Sequence, residues 1–331
     1  MLELCVAFVT TSVVMVPVLA FLRRHQVVDV PNARSSHVAV VPRGGGIGVL
    51  AGVAAGAAAA LLAEPEDTST ATRSVVVGVV LGVGLFAVLG LVDDLRRVPA
   101  ALRLAGQAVI AVGVAVAVAA GVSSSWAAVW VAVVGSVWLV SYVNAFNFMD
   151  GVNAISAVSA LLAGCWYGAL AAPGTDLLVY AGSWALVGAS LAFLPWNAPR
   201  AKVFLGDVGS YGVGALIAVL ALLTAVREHD VWVAVAPVVV YLVDTGGTLV
   251  RRVVRGEPLL EAHRSHVYQR LLDAGLSHLG VTGVVALAGL AICLATATLP
   301  IGAAIVVAAV VGAAYLALPR FLGARAPGVV R

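Results

Sequence analysis

Long apolar runs dominate this chain and constrain its fold more than any other feature. Segments of about 17–25 apolar residues are long enough to cross the roughly 30 Å hydrocarbon core of a bilayer as helices. Eleven runs of this kind lie near 2–22, 45–63, 75–92, 104–121, 126–143, 154–172, 177–194, 208–226, 231–248, 279–298 and 301–319. Only helices and closed barrels span a membrane, and these runs lack the alternation of strands. The sequence therefore predicts an all-α polytopic integral membrane protein with about eleven transmembrane helices.

The composition excludes an ordinary soluble domain. Of the 331 residues, 62% are hydrophobic and 11% are charged, whereas about 25% of the residues in a soluble domain are charged. The three cysteines, Cys5, Cys165 and Cys293, lie far apart inside apolar runs. Their spacing gives neither a disulfide framework nor a zinc site. We expect residues 1–331 to form a single membrane-embedded domain.

Basic residues fall almost entirely on one predicted side of the membrane. The loops after spans 1, 3, 5, 7 and 9 and the C-terminal tail hold Arg23, Arg24, Arg34, Arg43, Arg96, Arg97, Arg103, Arg200, Lys202, Arg251, Arg252, Arg255, Arg264, Arg270, Arg320, Arg325 and Arg331. The opposite side holds Arg73 and Arg227. Because cytoplasmic loops carry the excess of Lys and Arg, the N-terminus is predicted outside and the C-terminus in the cytoplasm. The expected location is the cell (plasma or inner) membrane.

The predicted cytoplasmic loops also carry the chemistry-bearing residues. These loops cover about 23–44, 93–103, 144–153, 195–207 and 249–278, and they contain five of the six histidines and the clustered asparagines. The outer loops are short and plain. Polar turn formers would be shared by both sides, so the asymmetry indicates a functional site that faces the cytoplasm.

Acidic residues at the ends of predicted spans are candidates for metal or base chemistry. Asp93 and Asp94 end span 3, and two adjacent carboxylates repel each other unless they share a cation or a proton. Asp207 stands between two glycines at the start of span 8. The alternatives are a solvated helix end for the pair and an N-cap for Asp207.

The stretch NAFNFMDGVN, residues 144–153, places amides and a carboxylate at intervals of three. Asn144, Asn147, Asp150 and Asn153 would share one side of a helical turn if the segment is helical. Such an arrangement suits contacts to a nucleotide or to Mg²⁺, which takes hard oxygen ligands and keeps waters and substrate phosphates in its shell. The alternative is that these residues only form a turn.

Two loops supply cationic side chains that could bind phosphate. The last cytoplasmic loop contains HRSH with His263, Arg264 and His266, and the first contains Arg34, His37 and Arg43 before three glycines. Arg gives forked contacts to phosphate and imidazole donates to it. The glycines could instead give a flexible entry to span 2, and basic residues on this face could bind anionic membrane lipids.

Five ordered motifs together resemble a known family. DVPNARSSH…VPRGGG, VDDLRR, NAFNFMDG, FLGDVGS and HRSHVYQRL, from about Asp29 to Leu271, are similar to those of the polyprenyl-phosphate N-acetylhexosamine-1-phosphate transferases. That family starts the lipid intermediates of O-antigen, teichoic acid and peptidoglycan. The RSSH and HRSHVYQRL forms resemble its O-antigen-type branch, since the three-histidine run of the peptidoglycan type is absent.

The resemblance implies a reaction and its partners. The family transfers a sugar-1-phosphate, such as GlcNAc-1-phosphate, from a UDP-sugar donor to a polyprenyl phosphate acceptor and releases UMP. Mg²⁺ is the implied cofactor, with Mn²⁺ as a substitute. Membrane lipids are expected around the chain, no nucleic acid is expected to bind, and a homodimer is left open.

Motifs and resemblance together assign roles to individual residues. Catalytic roles fall to Asp93, Asp94 and His263. Substrate binding falls to Asn144, Asp150, Asn153, Asn197, Phe204, Arg264, His266, Arg34, His37 and Arg43. Metal binding falls to Asn147 and Asp207. Within these sets the resemblance implies that the aspartate pair deprotonates or positions the lipid phosphate, that Phe204 stacks on uracil and that Asn153 faces the base.

One stretch departs from the family pattern. Bacterial relatives commonly read DGxDG where this chain reads DGVNA, so Asn153 replaces an Asp and Ala154 replaces a Gly. This departure affects the expected grip on the nucleotide and the choice of sugar.

Two other classes of membrane protein are the alternatives. A transporter places ionisable residues near the middle of its spans, but here the spans carry essentially no charge except Asp244, at the inner end of span 9. Another lipid-phosphate enzyme is the second alternative, and it lacks this ordered set of motifs.

Overall fold

The computed structural model describes residues 1–331 except 32–35, 37–38, 64–69, 97, 123, 172–176, 259–263 and 324–331, and leaves out the side chains of 70–74. The helices are α1 (Leu2–Arg24), α2 (Gly46–Ala63), α3 (Thr70–Arg96), α4 (Ala100–Ala119), α5 (Ser125–Met149), α6 (Ile155–Leu170), α7 (Leu177–Asn197), α8 (Gly206–Glu228), α9 (Val231–Val235), α10 (Val239–Val254), α11 (Val267–Asp273), α12 (His278–Thr298) and α13 (Ile301–Phe321). Two short strands, β1 (Val28–Asp29) and β2 (Val41–Pro42), pair antiparallel.

The prediction of an all-α polytopic membrane protein is confirmed. Within the described ranges, ten helical segments are long and apolar enough to cross a membrane. The predicted span at 154–172 corresponds to α6, which has 16 residues and is the shorter apolar helix. The two-residue strands were not predicted, because segments this short leave no periodic signal in a sequence.

The predicted span at 231–248 is interrupted. The helix α9 passes through a 3₁₀ turn, Ala236–Val238, before α10 begins. Pro237 lies in that turn, and proline lacks the N–H group that an uninterrupted α-helix needs. The apolar stretch as a whole, Val231–Val254, is still long enough to cross a membrane.

The helix α8 forms the centre of the fold. Its residues are buried almost throughout, from Gly206 to Thr224, and it packs against α2, α3 and α5. Small residues allow this close approach, which matters because packing rather than hydrophobic exclusion drives helix association in lipid. The first turn of α8 carries Asp207, so the central helix delivers a carboxylate to the end of the bundle.

Three glycines at the start of α2, Gly44 to Gly46, fit against the start of α8. The backbone N–H groups of Gly44 and Gly45 donate to the carbonyl of Phe204, at 3.1 and 2.8 Å. A Cβ atom on Gly46 would lie 2.1 Å from the Cα atom of Gly209. The alternative of a flexible entry to span 2 is therefore not what the structure shows, because these glycines allow backbone to touch backbone.

Candidate active site

The close packing of the glycines places Arg43 between two carboxylates. Its Nε lies 2.7 Å from Oδ1 of Asp94 and its Nη2 lies 2.6 Å from Oδ1 of Asp207. Burial opposes the charge of the guanidinium, but Asp207, Asp94 and Asp29 together outweigh this effect and raise the pKa of Arg43. One arginine thus joins the end of α3 to the start of α8.

Asp94 caps the helix that carries Asp207. Its carboxylate accepts from the backbone N–H groups of Asp207 and Val208, at 3.0 and 2.9 Å. The N-cap position of α8 is Leu205, which makes no side-chain capping bond. The alternative that Asp207 is an N-cap is therefore not what the structure shows, and the Asp207 side chain is directed to Arg43 and Asn147 instead.

Asp93 has partners of its own. Its Oδ2 accepts from Arg103 at 2.6 Å and from the hydroxyl of Tyr211 at 3.1 Å, and its Oδ1 accepts from the backbone of Val98 at 2.8 Å. Adjacent residues of a helix point about 100° apart, so the two carboxylates face different arginines. Each carboxylate of the pair therefore has an arginine of its own, and the cation or proton expected to be shared between them stays a prediction.

Two of the four residues predicted from the NAFNFMDGVN stretch, Asn144 and Asn147, lie on α5 and belong to the site around Asp207. Asn147 donates through Nδ2 to Oδ1 of Asp207 at 2.9 Å and to Oγ of Ser210 at 2.8 Å. Asn144, one turn earlier, donates to Oε1 of the buried Gln107 at 2.6 Å. The spacing of three places both amides on one face, as the sequence predicts.

The other two motif residues lie elsewhere, because α5 ends at Met149. Asp150 accepts from the hydroxyl of Ser156 at 2.6 Å, and burial raises the pKa of its carboxyl to about 6. The Asn153 side chain donates to the carbonyl of Pro199 at 2.9 Å. The chain leaves the helical path after residue 149, so the expectation that all four side chains share one helical face is wrong.

Asn197 and Phe204 contact backbone groups around the site. Asn197 is buried, accepts from the N–H of Ala154 at 2.6 Å and donates to the carbonyl of Val203 at 3.0 Å. Phe204 forms an isolated parallel bridge with Arg43. Both residues lie outside the lining of the cleft described below, so the uracil stacking expected of Phe204 stays a prediction.

Ala154 stands in a backbone conformation that favours glycine. Its φ is +68° and its side chain is buried, and the left-handed region costs a non-glycine residue about 1–2 kcal/mol. We expect Ala154→Gly to raise the free energy of unfolding by about 0.5–1 kcal/mol, after the added chain entropy of glycine is subtracted. Thermal unfolding in detergent measures this difference.

The matched control is Ala157→Gly, a buried position inside α6 where glycine costs about 1 kcal/mol. A lower melting temperature for Ala154→Gly than for the wild type would contradict the assignment of strain at residue 154.

The HRSH stretch is divided between the site and the surface. His266 is buried and lines the cleft. Arg264 lies away from the lining, with its Nη2 2.8 Å from the carboxylate of Asp273. The predicted residues His263, Arg34 and His37 lie outside the described residues.

One cleft of about 1080 Å³ joins these groups. Its polar lining includes Asp29, Arg43, Asp93, Asp94, Arg103, Asn144, Asn147, Asp207, Tyr211, His266 and Gln269. Apolar residues complete the wall, among them Leu95, Leu104 and Val140. The cleft is therefore lined by charged residues on one part of its wall and by apolar residues on another.

Several lining residues were not in the predicted site. Tyr211 lies four residues after Asp207 on α8, so its position on the same face could have been inferred from helical spacing. The sequence predicts Arg103 only as a basic loop residue, yet it pairs with Asp93. His278 lies outside the lining, where it accepts from the backbone of Asn153 at 3.1 Å, and no sequence signal predicts this contact.

Comparison with known proteins places this architecture in a family. The family described as Glycosyl transferase family 4 matches residues 76–225. A decaprenyl-phosphate N-acetylglucosaminephosphotransferase of Mycolicibacterium smegmatis is 33% identical over 290 residues, which cover 77% of this chain and 71% of the relative. The chain belongs to glycosyl transferase family 4.

Further relatives show which members of glycosyl transferase family 4 match this chain over most of its length. An undecaprenyl-phosphate alpha-N-acetylglucosaminyl 1-phosphate transferase of Thermotoga maritima is 30% identical over 82% of this chain and 81% of its own length. A phospho-N-acetylmuramoyl-pentapeptide-transferase of Streptococcus thermophilus is 32% identical, but only over 34% of this chain and 32% of its own length. The family prediction is confirmed, and these N-acetylglucosaminyl relatives match over far more of the chain.

Proposed function

We propose that this protein transfers a sugar-1-phosphate, GlcNAc-1-phosphate in the first instance, from a UDP-sugar to polyprenyl phosphate. The observation that carries the proposal is the junction of Asp94, Arg43 and Asp207 beside Asn147, inside a cleft with a partly apolar wall. The names of the N-acetylglucosaminyl relatives support the choice of sugar and acceptor.

The reaction is a displacement at phosphorus. An oxygen of the polyprenyl phosphate forms a bond to the β-phosphorus of the UDP-sugar, and the bond from that phosphorus to the oxygen of the α-phosphate breaks. UMP leaves, and its new charge must be neutralised. Such a reaction needs in-line alignment and electrostatic stabilisation more than covalent participation by the protein.

Two arginines are suited to hold the two phosphate-bearing substrates. The side chains of Arg43 and Arg103 are 33% and 34% exposed, so each can contact a ligand while it stays paired with its aspartate. Arg103 lies near Leu95 and Leu104 in the cleft lining, which suits a phosphate attached to an apolar tail. We therefore assign Arg103 and Asp93 to the acceptor, and Arg43 with Asp207 to the donor diphosphate.

The donor atoms at this junction fit a magnesium ion. Among the described residues, no group of three His, Cys, Asp or Glu could hold a metal, but Mg²⁺ often takes only one or two carboxylates from the protein. Asp207 with Asn147 would hold the ion, once the amide turns its oxygen inward. When bound, the ion neutralises the diphosphate charge, and Mn²⁺ suits the same oxygen donors.

The cleft is proposed to face the cytoplasm, where UDP-sugars are made available to membrane enzymes. The arginines of the lining and the basic loops support this orientation through the excess of positive charge on the cytoplasmic side. The location in the plasma or inner membrane belongs to the same proposal.

A cysteine-labelling experiment tests the orientation. In a chain whose Cys5, Cys165 and Cys293 are replaced, we expect Ser124→Cys to react with an impermeant maleimide in intact cells. Arg200→Cys should react only after the membrane is opened. Both positions are exposed, so access and not burial decides the result. Reversed labelling would contradict a cytoplasmic site.

The proposed reaction is tested with a panel of UDP-sugars. Purified protein in detergent, polyprenyl phosphate and Mg²⁺ should release UMP with UDP-GlcNAc, and release should require the polyprenyl phosphate. UMP release with none of the UDP-hexosamines would remove the proposal.

A further inference from the structure

Asp244 is a fully buried carboxylate with a complete set of donors. Its exposed fraction is 0%. Oδ1 lies 2.9 Å from Nδ1 of His266 and accepts from the backbone N–H of Val267 at 3.0 Å. Oδ2 accepts from the backbone N–H of Tyr268 at 3.1 Å and from the hydroxyl of Tyr315 at 2.7 Å.

This arrangement fixes which nitrogen of His266 carries a proton. Both backbone N–H groups can only donate, so the Asp244 side chain faces donors on both oxygens and acts as a carboxylate acceptor. A carboxylate cannot donate to Nδ1, which means that Nδ1 carries the proton and donates to Oδ1. Any chemistry of the ring toward a substrate is then left to Nε2.

The imidazole is held from other directions as well. Its ring stacks on Tyr268 at 5.8 Å between centroids with an interplanar angle of 23°, and it lies 5.9 Å from the ring of Phe148. Phe148 follows Asn147 directly in the chain, and His266 and Asn147 both line the cleft. The ring is therefore fixed at the wall of the proposed active site.

We propose that Asp244 is a positioning residue for phosphoglycosyl transfer. It orients His266 and fixes the ring proton on Nδ1, so that Nε2 is left as the proton acceptor toward the phosphates in the cleft. The inference rests on the function proposed above and adds a residue to it. Burying an ionisable side chain in a membrane span costs free energy unless the side chain is paired, and such residues usually mark functional sites. Asp244 is paired with His266, and His266 lines the cleft.

The rival explanation is that Asp244 only caps α11 through the N–H groups of Val267 and Tyr268. Asp230 offers a matched control for that role, because its carboxylate caps α9 through the N–H groups of Trp232 and Val233 at 2.8 and 3.1 Å. Asp230 lies outside the cleft lining. Asp230→Asn therefore measures what the exchange of a capping carboxylate for an amide does outside the cleft.

A double-mutant cycle separates positioning from capping. We compare Asp244→Asn, His266→Gln and the double variant for kcat and for the KM of UDP-GlcNAc, with unfolding temperatures measured beside them. Asp244→Asn should lower kcat about 10–100-fold, the usual range for a residue that orients a functional ligand, and KM should change less. In the His266→Gln background the same substitution should lower kcat no further. Asp230→Asn should keep the wild-type kcat even if it unfolds at a lower temperature.

A second substitution keeps the proposal testable if Asp244→Asn does not fold. Asp244→Glu retains the charge and moves it by one methylene group, and it should lower kcat only when His266 is present. Equal losses with and without His266, or a wild-type kcat in Asp244→Asn, would overturn the positioning role. A wild-type protein that transfers no sugar-1-phosphate would instead overturn the proposed function, and this inference with it.

Discussion

Asp207→Asn should lower UMP release on the order of 10²-fold or more, the scale for losing a central electrostatic contact, while the protein stays folded. The structure makes this substitution clean, since Asp94 and not Asp207 caps α8. The amide keeps the shape of the side chain and removes the charge beside Arg43 and Asn147. Residual activity should require a higher Mg²⁺ concentration. UMP release against Mg²⁺ concentration measures both effects.

Glu257→Gln is the matched control for the loss of one negative charge. Within the described part of the chain, the Glu257 side chain makes only long contacts, to Arg252 and Arg255 at 3.9 and 3.8 Å, and it lies outside the cleft lining. We expect wild-type turnover and wild-type Mg²⁺ dependence in this control. The same outcome for Asp207→Asn would remove Asp207 from the metal site.

Asp94→Asn and Asp93→Asn should both lower turnover by about 10²-fold or more, but their effects on stability should differ. The Asp94 carboxylate accepts two backbone N–H groups of α8 as well as Arg43. An amide in its place turns an NH₂ group toward at least one donor and leaves a buried group unpaired, at a cost of about 1–3 kcal/mol.

Asp93→Asn keeps the start of α8 intact, so donor binding should survive better than turnover. The measurements are kcat, the Kd of UDP-GlcNAc and the unfolding temperature of each variant. Equal loss of UDP-GlcNAc binding in the two variants would contradict the assignment of Asp93 to the acceptor side. Near-normal turnover in both would remove the pair from the mechanism.

The large-scale fold could be predicted because a membrane makes strong demands on a sequence. Each span must be long and apolar, so ten of the eleven predicted runs are recovered as membrane-length segments. The exception, α6, is an apolar helix of 16 residues. The strands β1 and β2 and the 3₁₀ turn at Pro237 depend on contacts and local breaks that hydropathy averages away.

The site could be predicted only in part, and geometry explains the difference. Asn144 and Asn147 meet the expected face because helical spacing holds up to Met149, and Asp150 and Asn153 do not because the helix ends there. The separation of Asp93 from Asp94 depends on Arg103 and Arg43, which come from two different segments. The sequence carries no signal for such long-range pairing.

Asp244 is a residue that the sequence singles out without showing its partners. Its isolation in an apolar run could be seen in the sequence, but its partners His266 and Tyr315 come from segments 22 and 71 residues away. Glycine packing is similar, because the sequence indicates a close backbone approach at Gly209 but does not show that Gly46 is the residue that makes it.

The central claim is that the sugar moves together with one phosphate, and a donor labelled in its β-phosphate tests that claim directly. Purified protein is incubated with UDP-GlcNAc carrying ³²P at the β-phosphorus, with polyprenyl phosphate and Mg²⁺. We predict that the label enters the lipid fraction in equal amount to the UMP released, and that Asp207→Asn prevents both. Label that remains in free UDP, while the sugar alone reaches the lipid, would contradict the account.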